Sequence, residues 1–131
     1  MATAPAYAAT PLLGAVLVNN GTADTSFSTP THATLLVTAG SNGTKITQID
    51  VVPAGTISSG GVVVNIFLYN GSTYYLHESV LVAAITPGTQ AASLKYSYYY
   101  DNLVLPASWY LYATETVATQ PCQVSAWGSS L

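Results

Sequence analysis

The chain has 131 residues, a formal net charge of −3, 50% hydrophobic residues and only 5% charged ones, where about 25% charged is usual. Its only cations are Lys45 and Lys95, and it has no arginine. Neutralising nucleic-acid phosphates or anionic lipid heads takes clustered Lys and Arg, so neither a nucleic acid nor a membrane surface is expected as a partner.

The length fits one domain. The first residues, "MATAPAYAATP", are mostly Ala, Thr and Pro with one Tyr. They hold too little apolar surface to order themselves, so residues 1–11 read as an extended N-terminal arm and 12–131 as a single domain. The apolar run Leu12–Val18 follows the Ala-rich segment, and no basic residue opens the chain. That order is wrong for a secretory signal, so synthesis in a cytoplasm without signal-directed export is expected.

From Leu12 onward, Gly, Pro, Asn, Ser and Thr clusters recur about every ten residues, with β-branched and aromatic runs between them. The spacing predicts strands at Leu12–Val18, Thr34–Thr38, Thr44–Val52, Val62–Tyr69, Tyr74–Val82, Ala92–Tyr99, Trp109–Thr114 and Gln123–Trp127. A ninth, short strand is expected around Thr22–Ser28. The clearest hairpin is "GVVVNIFLYNGSTYYLHES", where Asn70-Gly71 supplies the positive φ of a tight turn. In "KITQIDVV" the two alternating faces are both mixed. "VPAGTISSGG", "TPGTQ" and "ATQPC" read as exposed loops. No stretch keeps a 3.6-residue period, so almost no helix is expected. The fold class is all-β: an antiparallel β-sandwich, jelly-roll-like, of eight or nine short strands. An immunoglobulin-like sandwich is the competitor, but there is no Cys pair around a Trp.

Chemistry-bearing residues are sparse, and no enzyme activity is expected. His32 and His77 are the only histidines, too few for an ordinary metal site. His77 and Glu78 are strand neighbours and should face opposite ways. No nucleophile motif surrounds any serine, and the five carboxylates Asp24, Asp50, Glu78, Asp101 and Glu115 show no telling spacing. "GTISSGG" lacks the Lys and the following helix of a phosphate loop. The Asn-Gly-Thr/Ser triplets at Asn20, Asn42 and Asn70 read as turns. Cys122, the single cysteine, reads as a small buried hydrophobe. No catalytic, metal or cofactor-binding residue is assigned.

Aromatic residues concentrate in "SLKYSYYYDNLVLPASWYLYA", Ser93–Ala113, beside Lys95 and Asp101. Alternation puts Leu94, Tyr96, Tyr98 and Tyr100 on one face, and Lys95, Ser97 and Tyr99 on the other. Leu94, Tyr96 and Tyr98 are assigned to the core, and Lys95, Ser97 and Tyr99 to solvent, with Tyr100 at the strand's end. Trp109 and Leu111 oppose Tyr110 and Tyr112 in the same way. Exposed tyrosines suit interfaces and sugar platforms, giving broad contact with a polar tip. Tyr99, Tyr100, Tyr110 and Tyr112 are the candidate interface residues, with Tyr99 joined by Tyr100 and by Tyr110 or Tyr112 at one subunit contact.

"KITQIDVVPAGTISSGGVVVNIFLYNGSTYYLHESVLVAAITPGT" followed by "LVLPASWYLYATET" and "VSAWGSSL" resembles small β-sandwich virion proteins of tailed bacteriophages. The resemblance runs from Lys45 to Gly128 and leaves out the first 42 residues. It implies a structural, non-enzymatic protein with a jelly-roll-like fold. The implied role is a head decoration or cement protein outside the capsid lattice, with the major capsid protein as partner. Threefold lattice positions make a homotrimer the default oligomer. The alternative is a glycan- or receptor-binding module of a tail or fibre.

Overall fold

The computed structural model describes residues 10–131. It has eight strands: β1 (Thr10–Val18), β2 (Thr34–Thr38), β3 (Thr44–Pro53), β4 (Val62–Tyr69), β5 (Tyr74–Val82), β6 (Tyr96–Leu105), β7 (Tyr110–Glu115) and β8 (Cys122–Ser130). No helix occurs among the described residues. The strands form two antiparallel four-stranded sheets, ordered β1-β8-β3-β6 and β2-β7-β4-β5, here called the first and second sheets.

The order follows from one long folded ribbon. β4 pairs with β5 across the Asn70-Gly71 turn, β3 with β6, β2 with β7 and β1 with β8. Each pair encloses the previous one, and rolling that nested ribbon into two stacked sheets yields a jelly roll. The turn at its tip is four residues long. The Asn70 side-chain oxygen accepts from the Ser72 and Thr73 amides at 2.9 and 2.7 Å, and Gly71 has φ +98°, a region glycine enters without strain.

Between the sheets lie Ile46, Ile49, Val51, Leu105, Val124 and Ala126 from the first, facing Val62, Val64, Ile66, Val80, Leu111 and Ala113 from the second; all are buried. Cys122 is fully buried, as its alternation implied. Burial pushes its thiol up to about 12, with the charge of Glu115 acting the same way. Glu115 is itself fully buried at this end of the core, its Oε1 accepting the Asn20 amide at 2.7 Å. Burial raises its carboxyl above the usual range, against the backbone amides of Asn20, Gln120 and Thr119.

Several sequence expectations are corrected. The arm's residues 1–9 lie outside the described residues, while Thr10 and Pro11 already pair with Ser130 and Ser129 in β1. Thr22–Ser28 is not a strand. It belongs to a loop tied by the buried Asp24 carboxylate, which accepts the amides of Thr31 and His32 at 2.8 Å and that of Ser26 at 3.3 Å. β6 begins and ends later than predicted. Ser93 leaves the sheet to donate its hydroxyl to the Pro53 carbonyl, and Leu94 is exposed rather than in the core. "VPAGTISSGG" is not wholly an exposed loop, because Pro53 ends β3 and Ile57 is buried and bridged to Ile85.

Two bulges explain the mixed faces. β3 shifts register against β8 between Ile46 and Gln48, while against β6 at the same place the surplus residues lie on β6, between Tyr99 and Leu103. The extra residue, Thr47, lets Ile46 and Ile49 both point inward, because a one-residue insertion flips every later side chain. β5 shifts likewise against β4, His77 being the extra residue. His77 and Glu78 therefore do not face opposite ways. The His77 ring lies 5.2 Å from that of Tyr100, whose hydroxyl donates to Glu78 at 2.9 Å.

Candidate functional site

Aromatic residues with nowhere to go inside the sandwich gather in three places. The four tyrosines singled out from sequence are divided among them.

The first place is the gap between the two sheets on the β5–β6 side. Tyr96, Tyr98 and Tyr100 pack against the core from the inner face of β6. The Tyr96 hydroxyl accepts the Ala83 amide at 3.0 Å, and Tyr100 reaches Glu78 as above. Both hydroxyls thus tie one sheet's edge to the other's. Burial, then the hydrogen bond and charge of Glu78, push the Tyr100 hydroxyl's pKa well above its ordinary value. Tyr100 is a structural clasp and does not share Tyr99's face.

The second place is the outer face of the second sheet. Tyr69 of β4 pairs with Tyr110 of β7 and with Tyr74 of β5, and Phe67 pairs with Tyr112. Tyr74 stacks on Tyr69 with ring centroids 4.2 Å apart, and Tyr112 meets both edge-on. Tyr110 and Tyr112 belong to this half-buried cluster. They lie on the opposite side of the sandwich from Tyr99, so no one monomer brings the three together.

The third place is the outer face of the first sheet. The registers line up Leu13, Trp127, Gln48 and Tyr99 in one row across all four strands. The next row reads Ala15, Ser125, Asp50 and Ser97. Leu13 is 56% exposed, Trp127 44% and Tyr99 74%, with Leu17 also exposed one row further on. Sequence reasoning missed Trp127. The alternation of Cys122, Val124 and Ala126 inward was a usable signal, since it sends Gln123, Ser125 and Trp127 outward.

Asp50 sits beneath this face and is only 6% exposed. Its carboxylate accepts two hydrogen bonds from Gln48 Nε2, at 2.8 and 3.0 Å, and one from Trp127 Nε1 at 3.1 Å. Lys95 Nζ lies 3.7 Å away. Burial works to raise the Asp50 carboxyl, but hydrogen bonds from Gln48 and Ser97, the Lys95 charge and the Trp127 bond outweigh it and hold it below its ordinary value. A carboxyl depressed in the fold stabilises above its unfolded pKa, and that contribution is lost as pH falls through the folded one. The stability gap between wild type and Asp50→Asn should stay flat from about pH 5 to 8 and shrink below about pH 4. Urea titrations of both proteins across that range check it, and a gap unchanged at low pH would count against the network.

The network fixes the Trp127 ring by its edge and gives both Asp50 oxygens hydrogen-bond donors. What the face offers outward is aromatic and aliphatic surface over polar groups that already satisfy one another. Such a surface buries well against another protein, because it has little to desolvate without a partner.

No protein-family model matches the chain, and no curated protein matches it. Among solved structures it is similar to a chain in a structure of infectious bursal disease virus, Gt strain, at 14% identity and a TM-score of 0.31. That similarity covers 92% of this chain and 37% of the other, so the chain spans well under half of that neighbour's length.

Proposed function

We propose that the chain is a structural virion protein, a decoration or cement protein that binds the outside of a tailed-phage head and stabilises it. The major capsid protein is its partner, a homotrimer its working oligomer, and the outer face of the first sheet its docking surface. The observation that carries this is the exposed row Leu13–Trp127–Gln48–Tyr99 over an internally satisfied Asp50. The scarcity of charge supports it, because little repels copies from one another or from a shell. The resemblance from Lys45 to Gly128 supports the same reading. The role asks for no catalytic residue and no cofactor.

Quantitative mass spectrometry of purified particles tests it: the chain is expected in copy number comparable with the major capsid protein. Scarcity or absence there overturns the head reading. On the protein itself, Tyr99→Ala should leave the melting temperature unchanged while weakening head binding by about 2 kcal/mol or more, roughly 30-fold. Tyr96→Ala should do the reverse, lowering stability by about 2 kcal/mol or more, because Tyr96 packs on the core and closes the sheet edge. If Tyr99→Ala binds heads like wild type, the first sheet's outer face is not the docking surface.

A further inference from the structure

The second sheet carries a groove of another character. It has a volume of about 340 Å³ and lies between loop residues Thr29, Pro30 and Thr31 and the hairpin residues Ser72, Thr73 and Tyr74. Small-molecule sites start at about this size. We infer that this groove binds a neutral saccharide, one or two sugar units of a surface glycan. This site is separate from the docking face and does not depend on it.

Both walls are built before any ligand arrives. One is the loop held by the Asp24 carboxylate through the Thr31 and His32 amides, and Asn20 Nδ2 ties the same loop by donating to the His32 carbonyl at 2.7 Å. The other is the hairpin tip held by Asn70. Ring stacking on Tyr69 fixes Tyr74. A site that needs no ordering on binding loses less affinity to entropy.

The lining sets the ligand class. No charged side chain lines the groove, so nothing there would neutralise a phosphate, sulfate or carboxylate. The nearby Asp24 carboxylate is already occupied by backbone amides. What remains is a tyrosine ring, a proline, threonine methyls and short hydroxyls. A sugar ring needs that combination: apolar surface for its C–H face, and donor–acceptor hydroxyls for its rim. The ring cluster of Tyr69, Tyr74 and Tyr112 behind the wall keeps the aromatic surface rigid.

An array of neutral, sialylated and sulfated glycans probed with the full chain tests the inference. It would be followed by NMR titration with the free neutral sugars that score. Binding to neutral glycans is expected, weakened at least tenfold by Thr73→Lys and by Tyr74→Ala. Thr73 is an exposed turn residue whose side chain makes no hydrogen bond, so Thr73→Lys fills the groove without disturbing the fold, should Tyr74→Ala unsettle its ring cluster. Tyr99→Ala should bind as wild type. No binding to any glycan, preference for charged glycans, or binding lost in Tyr99→Ala but kept in Thr73→Lys would each overturn the inference. None of these outcomes touches the particle copy number on which the docking reading stands.

Discussion

Gly128→Ala is expected to destabilise the protein by about 3 kcal/mol or more, a large share of the roughly 5–15 kcal/mol that holds a domain together. A Cβ at this position would meet the Lys45 carbonyl oxygen at 1.9 Å, its carbonyl carbon at 2.9 Å and Ile46 Cα at 3.0 Å. All three are backbone atoms, so no rotamer change relieves the clash. They belong to β3 where its bulge begins, between Ile46 and Gln48. β3 is held on its other edge by β6, so it cannot withdraw without dragging that strand along. The bulge presses the β3 backbone toward β8, and only a residue without a side chain fits there. Gly21→Ala is the control, since a Cβ there meets nothing within 4 Å. Urea unfolding midpoints should separate the two mutants clearly, with the melting temperature of Gly128→Ala down by roughly 10 °C or more. A cost within about 1 kcal/mol of the control would mean that the bulge is not where the register puts it.

That bulge also marks the limit of what was legible in the sequence. Strand positions were legible because alternation and turn residues are local. The hairpin tip at Asn70-Gly71 announces β4 and β5, and the nested pairing follows once those are placed. Thr47 and His77 carry no local sign of being extra residues. Each is selected by what lies across the strand, Gly128 in one case and the junction of Ile66 and Phe67 in the other. The Thr22–Ser28 segment has strand-like composition, but its Asp24 side chain caps the amide of Ser26 and, further along the loop, those of Thr31 and His32, contacts visible only in three dimensions. Of the site, Tyr99's outward direction was readable because the alternation set by the inward Tyr96 and Tyr98 runs on to it through regular pairing with β3. Tyr100, Tyr110 and Tyr112 were grouped with it on proximity in sequence, yet the jelly roll sends β6 and β7 to different sheets.

The chain's two phenylalanines should behave as opposites. Phe67 points to the outer face of the second sheet, yet it is fully buried. Its strand neighbours on that face, Asn65 and its partner Thr114, are fully buried too. Something covers the face, and the 19–33 loop is the segment placed to do so. That loop joins the sheet through the Asp24 amide and the Glu115 carbonyl at 2.9 Å, and it flanks Tyr74 across the groove. The Phe67 ring also meets Tyr74 edge-on, with centroids 5.9 Å apart. Phe67 thus anchors a second, smaller core outside the sandwich. Phe67→Ala should cost about 3–5 kcal/mol, the usual range for emptying a buried aromatic site. It should also loosen the loop above it, so hydrogen exchange at the Thr31 and His32 amides is expected to accelerate more than exchange in β3 or β8. Phe27, in the same loop, is 57% exposed, and Phe27→Ala should change neither the melting temperature nor those exchange rates. If Phe67→Ala costs under about 1 kcal/mol, or leaves the Thr31 and His32 amides as protected as before, the loop stands without that core. Its grip on the sheet would then rest on Asp24 and Asn20 alone.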